Sequence, residues 1–144
     1  MFKALSLVST VSALHADYKP TTPLATVTHT CTMGFEIAGE YMGEIEFGVF
    51  GNVAPITAKN FLTLCDQKSG TVNIEGKVMA YAGTIFNTII PGWLVQGGNH
   101  EEDSIKGAGS FYGGVFDDEN FHIRFDEKPY VLSMASNRPN SNAN

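Results

Sequence analysis

The sequence predicts a mainly β domain, an antiparallel barrel or sandwich, with a helical cap. Short segments of alternating polar and apolar residues recur along the chain, one segment has helical periodicity, and glycine- and proline-rich turns separate them. With 144 residues, of which 43% are hydrophobic, the chain is long and apolar enough to form one domain with a buried core.

The first two strands are predicted beyond residue 33. One is Gly34 to Ile37, and the other is Glu44 to Phe50, in which apolar residues alternate with glutamate and glycine. The GEYMG segment between them, residues 39–43, predicts a hairpin turn.

A helix is predicted from about Ile56 to Gln67. Pro55 suits its start, because the N–H that proline lacks would be unpaired there in any residue. Apolar residues at helical spacing form one stripe, which consists of Ala58, Phe61, Leu62 and Cys65.

Strands and loops alternate in the second half. Residues 69–83 predict a loop, and the strands Thr84–Ile90 and Trp93–Gln96 then flank a Pro-Gly turn. Residues 97–121 contain too many glycines and other turn residues for regular structure. A last strand is predicted over Tyr130–Ala135.

The N-terminal residues differ in character from the rest. Residues 1–16 begin with a basic MFK and continue as a small-residue apolar run, which predicts a signal peptide cleaved near Ala13 or Ala16, with a disordered leader as the alternative. Residues 17–30 are rich in proline and threonine and predict a linker. We therefore expect the protein in the secretory pathway, in the endoplasmic reticulum lumen or outside the cell.

The two cysteines, Cys31 and Cys65, are too few for a disulfide framework. They could pair if the chain is secreted. The sequence favours the other interpretation, in which they are two small buried hydrophobic residues.

Charge and motifs exclude several classes of function. A net charge of −6 argues against nucleic-acid binding, and no apolar run is long enough to span a membrane. The acidic run Asp117-Asp118-Glu119 lacks the alternating ligands of a calcium loop, so it predicts a solvated turn. The histidines lack partners at metal-ligand spacing, and no glycine pair leads into a phosphate-binding motif. We expect neither metal nor cofactor.

Four segments carry a resemblance to a known family. They are GEIEFGVFGNVAPITAKNFLTLC, FNTIIPGWLVQGGN, FYGGVFDDENF and LSMASNRPNSNAN. In this order, from about Cys31 to Asn144, the chain resembles the cyclophilins, which are peptidyl-prolyl cis-trans isomerases. The resemblance implies an eight-stranded antiparallel barrel with a helix closing each end, and a domain that begins at residue 31.

The implied reaction is rotation about an Xaa-Pro peptide bond in proline-containing peptides or unfolded proteins. Amide resonance sets a barrier of about 18–20 kcal/mol, and uncatalysed exchange takes on the order of tens to hundreds of seconds. A catalyst needs an apolar pocket for the proline ring, polar groups that fix the peptide backbone, and a donor that stabilises the twisted bond.

The resemblance implies substrate-binding roles for Phe86, Trp93 and Leu94, and a hydrogen bond from Gln96 to the substrate backbone. From alternation alone, Leu94 and Gln96 lie on one face of the strand and Trp93 lies on the other, so a shared pocket requires a twist or bulge. The alternative is that Trp93 and Leu94 are ordinary core residues and that Gln96 is a satisfied buried amide.

Ala135 and Ser136 correspond to positions that line the peptide groove in the family. A serine keeps the main-chain contact that is usually made there by an asparagine. A strand end followed by a turn explains these small residues equally well.

Thr88 departs from the family pattern, which has an arginine at this position. The arginine is implied to donate to the prolyl nitrogen, and a threonine hydroxyl is shorter and uncharged. Loss of such a donor costs about 10²–10³ in rate. We therefore expect weak isomerase activity, with a non-catalytic module for proline-containing peptides as the alternative. The same pocket holds cyclosporin in the family, so binding of that ligand is doubtful here.

The family continues beyond the position of Asn144 through further strands and a second helix. We expect this chain to lack them, which would leave the barrel open and part of the core exposed. A non-functional truncated product is a further alternative, and a complete domain would be a monomer.

Overall fold

The computed structural model describes residues 2–5, 25–66, 76, 78–99, 109–121, 123 and 130–143. These ranges contain a single helix and five strands. They are, in order, β1 (Phe2–Leu5), β2 (His29–Ile37), β3 (Glu40–Val49), α1 (Pro55–Cys65), β4 (Phe86–Ile90) and β5 (Leu94–Gly97). The prediction of a mainly β fold with few helices is confirmed for this part of the chain. The barrel is not closed, because the described strands form two separate sheets.

The first sheet has three strands in the order β1-β2-β3. β2 and β3 form an antiparallel hairpin that runs from the pair His29 and Val49 to the pair Ile37 and Glu40. Its turn is only Ala38-Gly39, with φ of 54° and 88°, which suits a tight two-residue hairpin connection. The prediction that residues 39–43 form the turn was therefore too long, since pairing resumes at Glu40.

β1 pairs antiparallel with the distal half of β2, from Gly34 to Ile37. This strand lies inside the predicted signal peptide, of which the other residues lie outside the described part. Residues 17–24 of the predicted linker also lie outside it. The linker's last two residues, His29 and Thr30, belong to β2.

Helix α1 begins at Pro55, as predicted, and ends at Cys65, two residues earlier than expected. The N–H of Asp66 still donates to the carbonyl of Leu62 at 2.9 Å, and the backbone then becomes extended. The buried face differs in part from the predicted stripe, since Phe61 and Leu62 are only half-buried. The buried helix residues are Ala58, Asn60, Leu64 and Cys65.

The core lies between β2, α1 and the segment that leads to β4. Its buried members are Cys31, Met33, Leu64, Cys65, Met79 and Tyr81, surrounded by half-buried Phe35, Phe47, Phe61 and Leu62. Cys31 and Cys65 form a disulfide with a Cα–Cα distance of 6.4 Å. The interpretation of two unpaired cysteines was wrong, because the fold places the end of α1 against β2 across a separation of 34 residues.

The last predicted strand is absent from the described segment 130–143. Residues 131–136 have no regular structure, Val131 and Leu132 are exposed, and Tyr130 has a φ of 66°. Apolar alternation becomes a strand only where a neighbouring strand takes its backbone hydrogen bonds. The loop prediction holds for residues 109–121, apart from an antiparallel bridge between Phe116 and Asn142. Residues 100–108 lie outside the described part.

In the part of the chain that the structure describes, no helix has the length and apolar content that crossing a membrane requires.

Candidate functional site

The hairpin β4–β5 carries most of the predicted site residues. Its strands are antiparallel, and its turn contains Pro91 and Gly92, with a glycine φ of 76°. Proline followed by a glycine of positive φ is the preferred central pair of a type II turn. The N–H of Trp93 closes this turn by donating to the carbonyl of Ile90 at 3.0 Å.

Thr88 and Gln96 are directly opposed across this hairpin. Directly opposed residues project from the same face of a sheet, with Cβ atoms about 4.5–5.5 Å apart. Thr88 is half-buried and Gln96 is exposed. A register shift between Phe86 and Thr88 places Asn87 in a bulge, which adds local twist beside the opposed pair.

Phe86 attaches the hairpin to the core. Its ring stacks on Phe35 of β2, with ring centroids 5.6 Å apart and an interplanar angle of 19°. The partner position across the hairpin is Gly97, where an added Cβ would lie 2.6 Å from Phe86 Cδ1 and 2.8 Å from the Ile85 carbonyl oxygen. The ring of Phe86 can therefore cross β5 only at a glycine. The glycine pair in the sequence was the signal for this contact, which was not predicted.

Gly98 also lies where the hairpin meets the core. Its φ is 99°, and an added Cβ would lie 3.0 Å from the ring of Tyr81. Tyr81 is buried in the core, and burial raises the pKa of its hydroxyl well above the usual value.

Trp93 lies in the turn, so strand alternation does not apply to it. Its side chain is 77% exposed, and Leu94 is half-buried. The alternative of an ordinary core residue is wrong for Trp93, and that of a buried amide is wrong for Gln96. The hairpin thus presents an exposed indole, a half-buried leucine and an exposed amide within four consecutive positions.

Ala135 and Ser136 are exposed and lie on a separate, irregular segment. The Ser136 hydroxyl donates to the Arg138 carbonyl at 2.6 Å and lies 2.9 Å from the hydroxyl oxygen of Ser141. Ser141 Oγ in turn accepts from the N–H of Arg138 at 3.1 Å. These bonds fold residues 136–141 into a compact turn. The predicted site residues therefore lie on two elements, and five of the seven share the hairpin.

Asn60 of α1 connects this segment to the core. Its side chain has no exposure to solvent. Asn60 Nδ2 donates to the carbonyl of Ala143 at 2.7 Å, and Asn60 Oδ1 accepts from the N–H of Phe111 at 2.7 Å. Asn60 was not among the predicted residues, although its position one helical turn before Leu64 was a signal that it faces inward.

Glu119 caps the beginning of α1. Its carboxylate accepts hydrogen bonds from the N–H of Ile56 at 2.9 Å, the N–H of Thr57 at 2.6 Å and the Thr57 hydroxyl at 2.7 Å. The first amides of a helix have no partner within it and favour a negative charge. Tyr112 adds a hydrogen bond from its hydroxyl to the Ile56 carbonyl at 2.9 Å, and burial, followed by the charge of Glu119, raises its pKa.

The prediction of a solvated acidic turn therefore holds only for the exposed Asp117. Asp118 is half-buried, and its carboxylate accepts from the side chain of Asn142 at 2.7 Å and the N–H of Asn140 at 3.0 Å. The two half-buried carboxylates have structural partners within the chain. Among the described residues, no group of three His, Cys, Asp or Glu side chains could hold a metal ion.

A separate open groove of about 470 Å³, distinct from the predicted peptide groove, lies beside α1. Its lining includes His29, Lys59 and Asp66, with apolar surface from Pro55 and Leu62. None of the predicted site residues lines it.

Comparison with known proteins agrees with the resemblance in the sequence. Residues 32–144 match the family model described as cyclophilin type peptidyl-prolyl cis-trans isomerase/CLD. The NK-tumor recognition proteins of Mus musculus and Homo sapiens are each 38% identical over 112 residues, which cover 78% of this chain and 8% of theirs. Peptidyl-prolyl cis-trans isomerase CYP21-1 of Arabidopsis thaliana is 38% identical over 116 residues, covering 81% of this chain and 51% of its own length.

The matched region includes most of the β2–β3 hairpin, α1, the β4–β5 hairpin and the segment 130–143. It spans most of this chain, but about half or less of the length of these relatives. The chain belongs to the cyclophilin family.

Proposed function

We propose that this chain binds proline-containing peptides at the β4–β5 hairpin and isomerises the Xaa-Pro bond weakly. The observation that supports this proposal is the opposition of Thr88 and Gln96 on one face of the hairpin, beside Trp93 and Leu94. Family membership supports the reaction class, and the geometry of the hairpin supports the residues.

Binding would use two kinds of contact. The side-chain amide of Gln96 has both a donor and an acceptor, so it can pair with the backbone of an extended peptide. Trp93 and Leu94 offer apolar surface for the pyrrolidine ring, and each Å² of apolar area removed from water contributes about 25 cal/mol.

Catalysis requires an interaction that is stronger in the twisted transition state than in the planar ground state. As the amide twists, its nitrogen becomes a better hydrogen-bond acceptor. The Thr88 hydroxyl is the candidate donor opposite Gln96 on this face, but it is neutral and roughly half as strong as a charged donor. Weak turnover with ordinary binding follows from this difference.

A second candidate function is peptide binding without catalysis. The threonine at the family's arginine position favours it, because binding needs only Gln96, Trp93, Leu94 and the groove residues Ala135 and Ser136. Both candidates share one site and differ only in the contribution of Thr88.

The test measures binding and exchange in one sample. The purified chain is titrated with the tetrapeptide Ala-Ala-Pro-Phe, and NMR exchange spectroscopy gives the cis-trans rate of the peptide. A faster rate that is lost in Gln96→Ala supports isomerisation, and binding with an unchanged rate supports the second candidate. Val95→Ala is the matched control, because Val95 is exposed on the same strand at 59%. If the chain neither binds the peptide nor speeds its cis-trans exchange, both candidates are wrong.

We further propose that the protein works in the secretory pathway. The signal-like residues 1–16 support this, and so does the disulfide between Cys31 and Cys65, because disulfides persist in oxidising compartments. Cleavage after Ala13 or Ala16 would remove β1 and leave Gly34–Ile37 as a free strand edge. N-terminal sequencing and a thiol count on the native protein test the proposal, and an intact Met1 with two free thiols would contradict it.

A further inference from the structure

We propose that Asn60 is a positioning residue for the peptide groove, which it holds in place through Ala143 and Ser141. The inference rests on the proposed function, because it concerns the segment that carries Ala135 and Ser136. Asn60 itself is buried and contacts no predicted site residue in the bonds described above.

The first step is the hydrogen bonding of Asn60. Its Nδ2 holds the Ala143 carbonyl at 2.7 Å and its Oδ1 holds the Phe111 N–H at 2.7 Å. The side chain is 0% exposed, so water cannot replace either bond without opening the core. One amide on a helix thus fixes two backbone segments that lie 51 and 83 residues away.

The second step is the rigidity of the chain next to Ala143. Asn142 exchanges two backbone hydrogen bonds with Phe116, at 2.9 and 3.1 Å. Asp118 accepts from the Asn142 side chain at 2.7 Å and the Asn140 N–H at 3.0 Å. Residues 140–143 are therefore hydrogen-bonded both to the 116–118 segment and, through Asn60, to α1.

The third step connects this support to the groove. Ser141 lies between Asn140 and Asn142, and its hydroxyl accepts from the Arg138 N–H at 3.1 Å and lies 2.9 Å from the Ser136 hydroxyl. Groove residues 135 and 136 themselves are exposed and irregular. Their position therefore depends on the turn that Ser141 closes. The chain beside that turn is held by the 116–118 segment and, through Ala143, by Asn60.

The test uses Asn60→Asp, which preserves shape and the acceptor for Phe111 but replaces the donor to Ala143 with a second oxygen. We expect the dissociation constant of Ala-Ala-Pro-Phe to rise about tenfold, the factor for one ordinary hydrogen bond. The cis-trans rate at saturation stays unchanged, because Asn60 does not touch the peptide. Hydrogen exchange of the backbone amides of residues 135–141 becomes faster.

Ser141→Ala removes the later link at a half-buried position, so it keeps the test valid if Asn60→Asp does not fold. We expect it to reproduce the same rise in dissociation constant. Where both variants fold, combining them should add less than the sum of the single effects, as for residues in one network. Met33→Ala, which weakens the core on β2, is the control, and its peptide affinity should match that of the wild type.

Two outcomes separate the inference from the proposed function. If the wild-type chain binds no peptide, the proposed function fails, and hydrogen exchange alone decides the inference. The inference is wrong if the hydrogen-exchange protection of residues 135–141 is unchanged in both Asn60→Asp and Ser141→Ala. It is also wrong if the peptide affinity of these two variants equals that of Met33→Ala.

Discussion

Thr88 and Gln96 face each other across the β4–β5 hairpin, in register and on the same side of the sheet. An amide and a hydroxyl are thereby placed where a peptide on this face would meet both. Gln96 is exposed to solvent, while Thr88 is half-buried. If the proposed function holds, this pair would let the hairpin bind a peptide backbone while offering only a neutral hydrogen-bond donor to the prolyl nitrogen.

Replacing Thr88 with arginine should restore that donor. A guanidinium at this position would reach the prolyl nitrogen as the amide twists, and we expect the exchange rate of Ala-Ala-Pro-Phe to rise about 10²–10³-fold. Thr88→Val, which keeps the shape and removes the hydroxyl, should lower the wild-type rate further. Equal rates in wild type, Thr88→Arg and Thr88→Val would show that this position has no part in catalysis.

Gly97→Ala should destabilise the fold. Its new Cβ would lie 2.6 Å from Phe86 Cδ1 and 2.8 Å from the Ile85 carbonyl oxygen, and backbone does not yield as a flexible side chain does. We expect a loss of about 1–3 kcal/mol in the free energy of unfolding, as for other overpacked sites. Urea denaturation measures it, and exposed Val95→Ala is the control with little change. A stability equal to that of the control would mean that Phe86 moves aside freely.

Loss of the disulfide should cost about 3–4 kcal/mol, the chain-entropy value for a closed loop of this length. The bridge joins residues 34 apart and is buried, with Cys31 at 1% and Cys65 at 2% exposure. Urea unfolding with and without a thiol reductant measures the effect. The double variant Cys31→Ala and Cys65→Ala should be as unstable as the reduced protein and indifferent to reductant. A wild-type protein with the same midpoint in both conditions would contradict the prediction.

Tyr81 should make the fold sensitive to alkali. Burial raises its pKa in the folded state above the ordinary value of about 10, so the folded state binds more protons than the unfolded state above that pH. The contribution of Tyr81 to the free energy of unfolding is fully present below pH 10. It is lost as pH rises further, with a limiting slope of about 1.4 kcal/mol per pH unit. Urea denaturation between pH 8 and 11 measures this loss of stability, and we expect the loss to be smaller in Tyr81→Phe. An identical decline in both proteins would assign it to other groups.

Local patterns in the sequence were sufficient to predict the hairpins and the helix. Alternation identified β3, an apolar run beside a Pro-Gly turn identified β4, and Pro55 identified the start of α1. The turn at Ala38-Gly39 was placed too late, because the polar and aromatic residues after it also suit a loop. Predicting Tyr130–Ala135 as a strand failed because alternation contains no information about a pairing partner.

The supporting contacts of the site could not be read from local patterns. Cys31 meets Cys65, and Asn60 meets Ala143, only after the chain has folded back on itself. The site residues themselves were identified by family resemblance, and the structure then showed that Trp93 belongs to the turn. Strand alternation had put Trp93 on the face opposite Leu94 and Gln96. Because Trp93 lies in the turn, alternation does not apply to it.

The hydrogen-bond partners of Thr57 and Asn60 in α1 come from much later in the chain. Glu119 lies 62 residues after Thr57, and the carbonyl of Ala143 lies 83 residues after Asn60. Contacts of such long range carry a large loop-closure entropy and form slowly. During synthesis, the helix and the β2–β3 hairpin leave the ribosome well before residues 119 and 143 exist. Asn60 and the first amides of the helix therefore remain hydrated until residues 119 and 143 have been added, and the segment that carries Ala135 and Ser136 is fixed against the helix only after that.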